Sequence, residues 1–178
     1  MNNKKIRWIV FPLWLLIAPQ LWATTVTYDA MNIAGNTWQY TYNVTNDTLG
    51  QDIGEFTIFF DVNLYQNLTS AIAPVDWDPL VIQPDPVLPD DGFYDALALV
   101  AGLPSGNSLT GFSVVFDFLG AGTPGDQTFS VIDPITFATL DSGFTQATAV
   151  PVPAAFWLFG SGLLGLLGAG TRRFREHH

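Results

Sequence analysis

Asp and Glu are the only side chains between Trp8 and Thr171 that ionise near neutral pH. The chain has no Cys, both His residues stand at its C-terminal end, and all six Lys and Arg residues lie in its two ends. The interval therefore lacks the parts of a Ser-His-Asp, Cys-His or Ser-Lys nucleophile, of a zinc site with His or Cys ligands, and of an Arg clamp for phosphate. Only carboxylate chemistry remains, as a glycosidase acid/base pair or an aspartic dyad.

The best catalytic candidate is Asp141-Ser142-Gly143, the Asp-Ser-Gly of aspartic proteases. It occurs once, is followed by Phe144 rather than a small residue, and would need a second copy from a dimer partner. The alternative, which we favour, is an Asx-type turn that closes a strand. Glu55 stands alone in an alternating segment. We therefore expect a protein that is not an enzyme and has no catalytic residue.

Hard oxygen ligands are concentrated in one segment, Ala73–Gly92, which also carries five prolines. Ca²⁺ prefers such ligands. The sequence is no EF-hand, because it lacks the Gly at the sixth and the Glu at the twelfth loop position. The alternative is a solvated acidic loop, so we expect no cofactor, with Ca²⁺ as the one candidate. The candidate ligands are Asp76, Asp78, Asp85, Asp90 and Asp91.

The same segment holds a candidate for carbohydrate binding, Trp77, whose neighbours are Asp76, Asp78 and Pro79. Together with Tyr65 and Tyr94 it could offer aromatic faces to sugar rings. Aromatic residues of a sandwich are more often part of its core, which is the alternative.

The charge of the body excludes one class of partner. Residues 24–149 hold fifteen acidic and no basic side chains, a net charge of −15. Nucleic acid is excluded, because its backbone needs Lys and Arg to displace counterions. Binding to an anionic membrane surface is disfavoured for the same reason, and the body should accumulate cations.

Alternation of apolar and polar residues dominates the body and predicts half-buried strands. In Thr37–Thr45, Glu55–Val62 and Thr110–Phe118, aromatic and β-branched residues recur at every second position. Phe93–Val100, Gln127–Ile132 and Ile135–Leu140 are predicted strands with less regular alternation. Turn residues separate them, so we expect an all-β, antiparallel two-sheet sandwich, immunoglobulin-like or jelly-roll-like.

The proline-rich segment Ala73–Gly92 should interrupt this pattern, because proline cannot donate to a sheet ladder. We expect a long excursion there, with Leu80–Ile82 as a short edge strand.

Two apolar segments next to the basic clusters indicate export. Lys4, Lys5 and Arg7 precede the first, so residues 1–23 read as a signal peptide cleaved between Ala23 and Thr24. The second, residues 154–170, covers about 26 Å as a helix, enough for the hydrocarbon core of a bilayer. It is followed by a basic stop, Arg172, Arg173 and Arg175, which should stay in the cytoplasm.

The C-terminal segment 150–175 resembles the PEP-CTERM sorting domain, also labelled an ice-binding protein C-terminal domain. The matching residues run almost without interruption from Val150 to Leu166, and Val152 replaces the middle Glu of the Pro-Glu-Pro motif. The resemblance implies sorting by exosortase, a membrane-embedded, transpeptidase-like enzyme of Gram-negative bacteria that make exopolysaccharide, with processing close to residues 151–153. The motif residues are Pro151, Val152, Pro153, Ala154, Ala155, Trp157, Leu158, Phe159, Gly160, Ser161 and Gly162.

These features predict an exported cell-surface or matrix protein associated with exopolysaccharide. Its partners would be the Sec-type export machinery, signal peptidase, exosortase and the inner membrane. Exopolysaccharide is a further candidate partner. The body would pass through the periplasm on an inner-membrane-anchored intermediate and then reach the surface or matrix. A carbohydrate-binding surface module and a permanently anchored protein with a periplasmic β domain are the alternatives.

Overall fold

The computed structural model describes residues 24–149, which form two packed β-sheets. The first sheet has the strand order β10-β1-β2-β7-β4 and the second β5-β6-β3-β8-β9. The strands are β1 (Thr24–Ala34), β2 (Thr37–Asn46), β3 (Glu55–Phe60), β4 (Tyr65–Ile72), β5 (Trp77–Ile82), β6 (Gly92–Ala98), β7 (Ser108–Phe118), β8 (Thr128–Ile132), β9 (Thr139–Phe144) and β10 (Gln146–Ala147).

The all-β, two-sheet prediction is confirmed, with one difference in strand direction. Every pairing is antiparallel except the short parallel contact of β10 with β1. Residues 24–149 contain no helix long and apolar enough to cross a membrane. The expected signal peptide and the expected helix 154–170 both lie outside the described residues.

Large aromatic side chains fill the space between the sheets, as the alternation of β2, β3 and β7 predicts. Tyr40 and Phe116 meet edge to face at 4.9 Å between ring centroids, and so do Phe56 and Phe112. Both geometries are favourable for ring quadrupoles. Because residues 24–149 contain no Lys, Arg or His, no side-chain ion pair supports the fold, and packing and hydrogen bonds must hold it.

The prediction of a strand at Ile135–Leu140 is wrong. Residues 134–136 form a turn, since the Asp133 carboxylate accepts hydrogen bonds from the backbone N–H of Ile135 (2.8 Å) and Thr136 (2.9 Å). Phe137 then adopts a left-handed φ of 58°. Local capping by an Asp side chain competes with strand pairing, and here it overrides the apolar alternation.

The prediction of a turn at Asp141-Ser142-Gly143 is wrong as well. These residues lie inside β9, opposite Val131, Ser130 and Phe129 of β8. The β8–β9 hairpin therefore extends further along the chain than the sequence suggests, and Phe144 becomes its last strand residue.

The segment 73–92 is more regular than predicted. The expected edge strand exists but is longer, running from Trp77 to Ile82 at the edge of the second sheet. It tolerates Pro79 because β5 has a neighbour, β6, on one side only.

Candidate functional site

The three aromatic residues predicted as sugar-binding faces belong to the core instead. Trp77 is 8% exposed, and its ring lies 5.2 Å from that of Phe112 and 6.0 Å from that of Phe56. Tyr65 and Tyr94 are also buried. Trp77 begins the edge strand β5 instead of lying in an irregular excursion, and its ring packs into the core, which was the alternative for these aromatic residues.

The five candidate calcium ligands do not converge. Asp85 and Asp91 accept hydrogen bonds from backbone N–H groups, Asp85 from Val87 (2.8 Å) and Asp91 from Val62 (2.9 Å). Asp78 lies in β5, whereas Asp76 precedes that strand with a left-handed φ of 70°. Asp90 exchanges backbone hydrogen bonds with Asp85. Among the residues that the structure describes, no group of three acidic side chains could hold a metal ion.

The outward face of the second sheet carries a row of residues in register across all five strands, which we call the aromatic row. Ile82 pairs with Phe93, Phe93 with Phe59, and Thr128 with Phe144. Successive side chains of a strand point to opposite faces of the sheet. Ile58 and Phe60 point into the core and are fully buried, so Phe59 between them faces outward. The pairing of Ile58 with Phe129 places Thr128 next to Phe59 on the same face. From β5 to β9, the row consists of Ile82, Phe93, Phe59, Thr128 and Phe144.

The aromatic row contains one small residue, Thr128, and a groove lies at that position. Thr128 on β8 separates Phe59 on β3 from Phe144 on β9, so the two rings are anchored roughly 10 Å apart, two strand spacings. The groove has a volume of about 530 Å³ and is open to solvent. It is lined by Phe59, Thr128, Phe129, Ser130, Ser142, Gly143 and Phe144.

The neighbouring outward row supplies the polar part of the face, and we call it the hydroxyl row. Thr57 pairs with Ser130, and Ser130 with Ser142, so three hydroxyl side chains follow one another across β3, β8 and β9. Ser130 and Ser142 belong to the groove lining. On the other side of Thr57, Asp95 of β6 accepts a hydrogen bond from the Thr57 hydroxyl at 2.6 Å.

Two carboxylates lie on this face near the groove. Burial raises the pKa of Asp95, and the hydrogen bond from Thr57 opposes that shift. Burial, followed by the nearby charge of Asp95, raises the pKa of Glu55. Neither carboxylate has a basic side chain to pair with in residues 24–149, so the face is anionic.

No titratable side chain is among the residues that line the groove, so Asp95 and Glu55 flank it without belonging to its lining. Ser130 and Ser142 are hydroxyls without a His or Lys base anywhere in residues 24–149. Phe144 is 60% exposed and offers an apolar ring to solvent. An aromatic wall on each side and hydroxyls between them suit a flat molecule with apolar faces and a polar rim.

Sequence reasoning missed every aromatic residue of this groove. One signal was present, because Phe59 interrupts the polar side of an alternating strand whose other side is Phe56, Ile58 and Phe60. Phe144 gave no signal, since the predicted turn at Asp141-Ser142-Gly143 placed it outside the sheet.

No protein-family model matches the chain, and no curated protein does. Among solved structures, the chitin-binding domain of Chi18aC from Streptomyces coelicolor is similar with a TM-score of 0.42 and 21% identity, over 60% of this chain and 90% of that domain. A cohesin module of a family 33 glycoside hydrolase from Clostridium perfringens has a TM-score of 0.43 and 10% identity, over 72% of this chain and 98% of that module.

A third similar structure is a family 20 exo-β-N-acetylglucosaminidase from Vibrio harveyi, with a TM-score of 0.39 and 10% identity. The likeness covers 74% of this chain but 19% of that enzyme. At these TM-scores the likenesses carry no argument about what this chain binds.

Proposed function

We propose that residues 24–149 form a non-catalytic carbohydrate-binding body of an exported surface or matrix protein. The observation that carries this proposal is the groove between Phe59 and Phe144, lined by the hydroxyls of Thr128, Ser130 and Ser142. A pyranose ring matches it, because such a ring has apolar C–H faces and a rim of hydroxyl groups.

The aromatic walls supply the affinity in this proposal, and the hydroxyls supply the orientation. A sugar ring against Phe144 covers apolar surface that is now exposed to water, which we expect to contribute about 1–2 kcal/mol. Ser130 and Ser142 can each donate and accept a hydrogen bond, as sugar hydroxyls do. Since the groove is open to solvent, a chain of sugars can pass along the face instead of ending in a closed pocket.

The route to the cell surface is a further part of the proposal, and it rests on the sequence alone. The signal peptide 1–23 would bring the body out of the cytoplasm, and the segment 150–175 would hold it at the inner membrane for exosortase. Processing near Pro151–Pro153 would then release the body to the surface or matrix. The alternative is that the apolar run 154–170 remains as a permanent anchor.

A matched pair of variants tests carbohydrate binding. Phe144→Ala removes one wall of the groove, whereas Phe137→Ala removes a ring that is 78% exposed in the β8–β9 turn, away from the groove. We expect Phe144→Ala to weaken retention on the producing strain's exopolysaccharide roughly 5- to 30-fold, the equivalent of 1–2 kcal/mol, and Phe137→Ala to leave it unchanged.

Equal retention of both variants and the unaltered chain would contradict the groove as a binding site. It would favour the reading of a structural matrix protein without a sugar ligand.

A further inference from the structure

Resting on the proposed function, we infer that the groove selects uncharged polysaccharides and rejects those that carry uronate or sulfate groups. The selectivity depends on the charges around the groove, whereas carbohydrate binding depends on the shape of the groove. The two can therefore fail separately.

Residues 24–149 have no cationic group that could pair with an anionic sugar. Proteins recognise carboxylate and sulfate groups chiefly through Arg and Lys, by charge-assisted hydrogen bonds. Residues 24–149 contain neither residue, nor His. An anionic sugar in the groove would lose part of its hydration without gaining a counter-charge, which is unfavourable.

Asp95 lies close enough to the groove for its charge to act there. It stands in the hydroxyl row, and Thr57 alone separates it from Ser130 of the groove lining. Two strand spacings place Asp95 roughly 10 Å from Ser130, which is about one Debye length at 0.1 M salt and about a third of one at roughly 0.01 M. Its charge is therefore only partly screened at the groove.

Glu55 adds to the negative potential that Asp95 creates on this face. Glu55 and Asp95 lie on adjacent central strands, β3 and β6, and each is partly buried. The burial that raises both pKa values also reduces the screening of their charges by water once they ionise. A polyuronate passing along the face meets these two carboxylates and that of Asp78, which pairs with Leu97 of β6 as Glu55 does, whereas a neutral polymer is repelled by none of them.

The test compares polymers with the same backbone and different charge. The full chain, purified in a neutral detergent, is passed over beads that carry polygalacturonate or its methyl ester, and carboxymethyl cellulose or hydroxyethyl cellulose. All buffers contain a chelator, so that no divalent cation bridges protein and polymer. We expect at least one neutral polymer to be retained, and its anionic counterpart to bind about tenfold or more weakly at low salt.

Two variants that change the net charge equally show whether the repulsion of anionic polymers comes from the groove face or from the whole domain. Asp95→Asn removes a carboxylate from the groove face and keeps an oxygen that can accept the Thr57 hydrogen bond. Asp29→Asn removes an exposed carboxylate from β1, in the other sheet. We expect Asp95→Asn to increase retention on the anionic polymer severalfold, and Asp29→Asn to have a much smaller effect.

The outcomes are distinguishable. Equal retention of charged and neutral partners overturns the selectivity while leaving carbohydrate binding intact. Equal effects of the two Asn variants also overturn it, because net charge and not the groove face would then be responsible. If none of the four polymers nor the native exopolysaccharide is retained, the proposed function itself fails.

Discussion

Phe59 and Phe144 face the same side of the second sheet with a single strand, β8, between them, and the residue that fills the position between their rings is Thr128. Where a small side chain stands between two large ones in a row across a sheet, a gap of about one strand spacing remains between it and each large side chain. The space above Thr128, between the rings of Phe59 and Phe144, forms the groove.

The first prediction follows from that gap. Thr128→Phe should fill the groove and abolish carbohydrate retention, while the fold stays intact, because position 128 is exposed and aromatic residues suit strands. The matched control is Thr139→Phe, which adds the same ring at an exposed position of β9 outside the groove. Bead retention and thermal unfolding of both variants decide the matter, and undiminished retention by Thr128→Phe would argue against the groove.

The second prediction concerns Trp77, which the sequence suggests as a sugar-binding residue and which the structure places in the core. Trp77→Ala removes a ring that contacts Phe56 and Phe112, and such truncations typically destabilise by about 3–5 kcal/mol. Urea unfolding should show this loss, whereas Phe137→Ala should change the free energy of unfolding little. At low temperature, where a fraction of Trp77→Ala remains folded, that fraction should still bind carbohydrate. Selective loss of binding without loss of stability would restore the original interpretation of Trp77.

The strands whose faces could be read from the sequence are those with unbroken alternation. In β2, Tyr40, Tyr42 and Val44 are buried as predicted, and β3 and β7 behave in the same way. Strand β4 escaped notice because its pairing with β7 has two register shifts, and Asn67 and Ser70 adopt left-handed φ values. Its buried residues Tyr65 and Leu68 are consequently three positions apart, which hides the period of two.

The site could not be predicted because it depends on register across several strands. Thr128 and Phe144 meet only through the pairing of β8 with β9, and the Asp133 turn fixes where β9 begins. The sequence places a strand over Ile135–Leu140 instead, since nothing in the alternation reveals that the Asp133 side chain caps the turn. The lack of basic side chains in residues 24–149 could be read from the sequence directly, because it is a property of composition.

The third prediction concerns the two ends of the mature protein. Strand β1 begins at Thr24, which pairs with Asn46, so cleavage between Ala23 and Thr24 would leave the whole strand in the mature domain. Mass spectrometry of the surface-exposed protein should find Thr24 as its first residue and no peptide containing Arg172–Arg175. An intact Arg172–Arg175 peptide in that form would argue against processing and for a permanent anchor.

The fourth prediction is a dependence of stability on pH that runs opposite to ordinary acid denaturation. The pKa values of Asp95 and Glu55 are raised in the folded protein above their ordinary values of 3.8 and 4.5. The folded state therefore holds more protons than the unfolded state as pH falls through this range. The contribution of these groups to stability is fully present below their ordinary pKa values and is lost as pH rises through the folded ones.

Asp117 and Asp133 oppose this trend: hydrogen bonds from Asn67 and Thr37 lower the pKa of Asp117, and hydrogen bonds from the backbone N–H groups of Thr136 and Ile135 lower that of Asp133. Both carboxylates are partly exposed, so solvent screening weakens their contribution. Thermal unfolding between pH 7 and pH 4.5 should thus show a midpoint that rises on acidification for the unaltered chain. Asp95→Asn should flatten that rise, because an amide does not titrate, and Asp29→Asn should keep it. A midpoint that falls steadily with acidification in all three proteins would mean that the burial of Asp95 and Glu55 has no energetic consequence.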